Sequence, residues 1–65
     1  MKNNFTIVYN KTTLKIESFV VPENEEEDLF DSVNVFNYQE KIEVSMKNFT
    51  GNIYILQEYL NNLLK

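Results

Sequence analysis

This 65-residue chain has no cysteine, histidine, arginine or tryptophan, one glycine and one proline. Without cysteine there is neither a disulfide nor a thiolate zinc site, and without histidine the common imidazole metal ligand is missing as well. The same two absences remove the usual acid–base group near neutral pH and the cysteine nucleophile. Ser18, Ser32 and Ser45 have no histidine to activate them, and no cofactor motif is present. A carboxylate pair of the glycosidase kind needs a rigid cleft, for which so short a chain has little room. The chain therefore reads as a non-enzyme without a cofactor.

The lack of arginine limits recognition too. All six cations are lysines, so bidentate grips on phosphate or guanine are missing. A net charge of −4 opposes association with a polyanion, and direct nucleic-acid binding is not expected. No run approaches the roughly 20 apolar residues that a membrane span requires, and "MKNNFTIVYN" has no signal-peptide core. The expectation is a cytoplasmic protein that makes no membrane contact. Three N-x-[ST] triplets, at Asn4, Asn10 and Asn48, then read as accidents of an Asn-rich composition.

What is present is apolar and aromatic. Hydrophobic residues make up 43% of the chain, including five Phe and four Tyr, too many for a disordered segment. At this length a single domain spanning residues 1–65 is expected. Such a domain buries only about 60% of its unfolded surface, so a compact aromatic core, oligomerisation or both must supply its stability.

Residues 4–10 alternate as a strand, with Phe5, Ile7 and Tyr9 on one face and Thr6 and Val8 on the other. "NKTT" supplies an Asx-type turn, and "LKIESFVV" reads as the return strand with Leu14 and Ile16 inward. Phe19 breaks the alternation, which points to a bulge or strand end near Ser18. Pro22 ends the strand because it cannot donate to a ladder. Residues 33–46 read as a second hairpin turning near Gln39 and Glu40. Val33 and Val35 share one face of its first arm, and Ile42, Val44 and Met46 share one face of its second.

The chain closes on "NFTGNIYILQEYLNNLLK". Thr50 or Asn52 can cap a helix there, with Gly51 as the hinge. Ile53, Leu56, Leu60, Leu63 and Leu64 recur at helical spacing, with Gln57, Asn61 and Asn62 on the opposite side. The predicted fold is α+β: a four-stranded, mostly antiparallel sheet of two hairpins, with the C-terminal helix packed on one face. The helix is expected to meet Phe5, Ile7, Leu14, Ile16, Ile42 and Val44.

Between the predicted hairpins lies "PENEEEDLFD". Glu23, Glu25, Glu26, Glu27, Asp28 and Asp31 are six of the ten acids, and no lysine falls among them. Asn24 and Glu27 fit a loosened capping box, so one or two helical turns are expected over about 25–31, with carboxylates at the positive end of the dipole. A calcium loop of the EF-hand type needs glycine at its sixth position and glutamate at its twelfth. Counting from Glu23 these are Asp28 and Asn34, and no metal site is expected. Extended DNA mimicry would spread charge over a whole surface, whereas here six charges sit in one segment beside Phe30, Phe36 and Tyr38.

That arrangement suggests a small interaction module, an inhibitor of the phage or mobile-element, anti-defence kind. It would occlude a basic, nucleic-acid-binding surface on a partner protein. Glu25, Glu26, Glu27, Asp28 and Asp31 would carry the charge, with Phe30 as an apolar anchor. A bland reading competes: the run is a solvated loop that keeps the protein soluble. A homo-oligomeric module is the alternative, holding an anionic or nucleotide-like ligand with Lys11, Lys15, Lys41, Lys47 and tyrosines. A structural subunit of a larger assembly is a third. One helix covers one sheet face, so Phe36, Tyr38, Tyr54 and Tyr59 cannot all be buried by it. A homodimer or a heterologous partner would take up that surplus.

Overall fold

The computed structural model describes residues 4–23 and 30–64. Among these residues, strands β1 (Asn4–Asn10), β2 (Ile16–Val20) and β3 (Gln39–Ser45) precede one α-helix, α1 (Ile53–Leu63). The sheet is antiparallel and three-stranded in the order β2-β1-β3. The first strand of the chain is thus the central one. It is also buried nearly throughout, as its two-sided apolar sequence requires.

The β1–β2 hairpin turns where "NKTT" places it. Asn10 Oδ1 accepts from the Thr12 and Thr13 amides at 2.8 and 3.0 Å, forming the Asx turn. Leu14 follows at a φ of +64°, a left-handed conformation costing a non-glycine residue about 1–2 kcal/mol. Its amide donates to the Asn10 carbonyl at 2.7 Å, which closes the loop. Val8 pairs with Ser18 but Tyr9 pairs with Ile16, so Glu17 is the extra residue of a bulge. The bulge restores Ile16 and Phe19 to the face shared by Ile7 and Tyr9, which is how the broken alternation of "IESF" is absorbed.

The core lies between that face and α1. Phe5, Ile7, Tyr9 and Val44 bury against Leu56 and Leu60, with Leu14, Ile16, Ile42, Met46, Tyr59 and Leu64 packed around them. Helix and sheet meet as the apolar spacing predicts, but the stripe is narrower: Ile53 and Leu63 are exposed. Asn52 is the N-cap. Its side chain accepts from the Tyr54 and Ile55 amides, while Thr50 supports the approach by accepting from the Asn52 amide. Gly51 has no left-handed backbone, so no hinge depends on it.

Gln57 was expected on the solvent side and lies instead at the contact between helix and hairpin. Its Nε2 donates to the Leu14 carbonyl at 2.6 Å and its Oε1 accepts from the Ile16 amide at 2.8 Å. The strained loop and bulge leave these backbone groups without a strand neighbour, and a side-chain amide carries both the donor and the acceptor they need.

The second expected hairpin does not form. Gln39 and Glu40 begin β3 instead of making its turn, and residues 33–36 join no ladder. The turn lies earlier, over Phe36–Gln39, closed by the Gln39 amide on the Phe36 carbonyl at 3.0 Å. β3 therefore pairs along its whole length with β1, and a fourth strand is not among the described residues. The β-branched pattern of "SVNVF" does not translate into burial. Lys41 shares the face on which Thr6 and Val8 are buried and draws the half-buried Phe30 and Val33 toward it, whereas Asn34, Val35 and Phe36 are exposed.

Two side chains of β3 tether residues 30–36. Lys41 Nζ donates to the Phe30 carbonyl at 2.6 Å and the Val33 carbonyl at 3.0 Å. Gln39 Oε1 accepts from the Phe36 amide at 2.9 Å, and Gln39 Nε2 donates to Glu17 of the bulge. Among the described residues no helix is long and apolar enough to cross a membrane.

Candidate functional site

The acidic segment begins where β2 ends and finishes where the connection reaches β3. Of its charged residues, Glu25, Glu26, Glu27 and Asp28 lie outside the described residues, as does most of the helical turn expected over 25–31. Its described ends are Glu23 and Asp31, both exposed. Asp31 sits in a single 3₁₀ turn, Phe30–Ser32, in place of the later part of the expected α-turn.

Phe30 is half-buried. The Lys41 ammonium stands 4.6 Å from its ring centroid, within the range of a cation–π contact, and also takes its carbonyl. One lysine therefore fixes both backbone and ring at the end of the acidic run. This makes Phe30 a rigid foot of the segment, with part of its surface already used internally.

Phe36 and Tyr38 are 69% and 48% exposed. Their rings are parallel within 5° at a centroid separation of 5.9 Å. The turn that carries them is tied to the hairpin loop by the Lys11 amide, which donates to the Tyr38 carbonyl at 3.0 Å. The sequence marked both residues as surplus to the core but did not reveal that they stack, because the turn lies between them and not after them.

Phe19 and Phe49 belong to a different aromatic group. Phe49 makes edge contacts with Phe5 and Phe19 at 5.2 and 5.9 Å, sealing the end of the core beyond α1. Tyr59 is half-buried and its hydroxyl accepts from Asn48 Nδ2 at 3.3 Å. Tyr54 is 82% exposed at the start of α1.

The lysines of the alternative reading are scattered. Lys11 follows the end of β1 that pairs with Gln39, whereas Lys47 follows Ser45, which pairs with Asn4 at the other end. A seven-residue strand separates these ends by roughly 20 Å at 3.3 Å per residue. Lys41 is held against Phe30 and Val33. The four do not converge within one subunit, and the described residues form no enclosed cavity.

The chain was compared with family models, curated proteins and solved structures, and none matches it.

Proposed function

We propose that this protein is a cytoplasmic interaction module that occludes a basic, nucleic-acid-binding surface of a partner protein. Its acidic segment 23–31 would enter that surface, with Asp31 and the Phe36–Tyr38 pair at the rim. The observation that carries the reading is the fixing of the segment's end. Lys41 holds the Phe30 and Val33 carbonyls and Gln39 the Phe36 amide, so Asp31 stands in a tethered connection that also carries an exposed aromatic. Preorganisation lowers the ordering cost of binding, and six like charges in one segment steer a basic partner toward it. Size, acidity and Asn/Lys-rich composition suit an inhibitor of the phage or mobile-element kind.

The test is competition. A nucleic-acid-binding protein captured by this chain should release its labelled DNA or RNA as the chain is added. The triple substitution Glu25→Lys, Glu26→Lys, Glu27→Lys should abolish that release while the far-UV spectrum stays unchanged. Equal potency of the triple variant would refute the acidic segment as the binding element. Raising NaCl to about 0.5 M should weaken the wild-type effect strongly, since exposed charges are then screened over a few ångströms.

A further inference from the structure

We draw no further inference here: the strongest candidate, the stacked and exposed Phe36–Tyr38 pair on the turn before β3, meets both Lys11 and, through Gln39, Glu17, so charge selects no occupant and nothing in the structure shows what covers it.

Discussion

Gln57 and Leu14, 43 positions apart in sequence, are joined side-chain amide to backbone carbonyl. The same amide accepts from Ile16, so one helical residue completes the backbone bonding of the loop and bulge. Gln57→Ala should cost about 1–3 kcal/mol, the penalty for leaving partly buried polar groups unpaired. Gln57→Glu should also destabilise, because a carboxylate cannot donate to the Leu14 carbonyl. Urea unfolding measures both.

Leu14 combines core contact with left-handed backbone. Truncating it loses the contact either way, but glycine also removes the conformational penalty. Leu14→Gly should therefore be more stable than Leu14→Ala by about 1 kcal/mol, the reverse of the usual order. Thermal melts of the two variants decide the sign.

The helix stripe divides into buried and exposed members. Leu56→Ala or Leu60→Ala should cost roughly 2–5 kcal/mol, enough to unfold most of so small a domain. Ile53→Ala and Leu63→Ala, at exposed positions, should each cost far less. Similar losses at all four sites would contradict the packing described.

Lys41→Met keeps the aliphatic stem but removes the ammonium that ties down Phe30 and Val33. A loss of about 1–3 kcal/mol is expected, with faster protease cleavage in residues 23–36 than in the wild type. Cleavage at an unchanged rate would mean that the connection is held by other contacts.

Much of this fold was legible because local chemistry and tertiary demand agree. Strand β1, the Asx turn at Asn10, the bulge implied by Phe19 and the Asn52 cap each follow from a few adjacent residues. What was not legible depended on partners distant in sequence. Gln57 reads as a solvent-facing residue until a strained loop forty positions earlier needs an amide. "SVNVF" reads as a strand because β-branched alternation is what a half-buried strand shows, yet residues 33–36 join no ladder. The turn was misplaced for the same reason: Gln39 looks like turn chemistry, yet it serves the turn from within β3. At the candidate site the charge was evident from composition. Its anchoring by Lys41 was not, since a lysine alternating outward on a strand usually faces water.

Gly51 marks a further difference. A Cβ there would meet nothing within 4 Å, and its backbone is not left-handed. Gly51→Ala should leave stability unchanged or raise it by about 0.4–1 kcal/mol through the unfolded state, as calorimetry would register.

The most direct measurement of the central claim is native mass spectrometry of the protein purified gently from its host's lysate. The account predicts extra mass from a single basic, nucleic-acid-binding protein, lost when Glu25, Glu26 and Glu27 are changed to lysine. Retention of the same species by that variant, or copies of this chain alone, would contradict it.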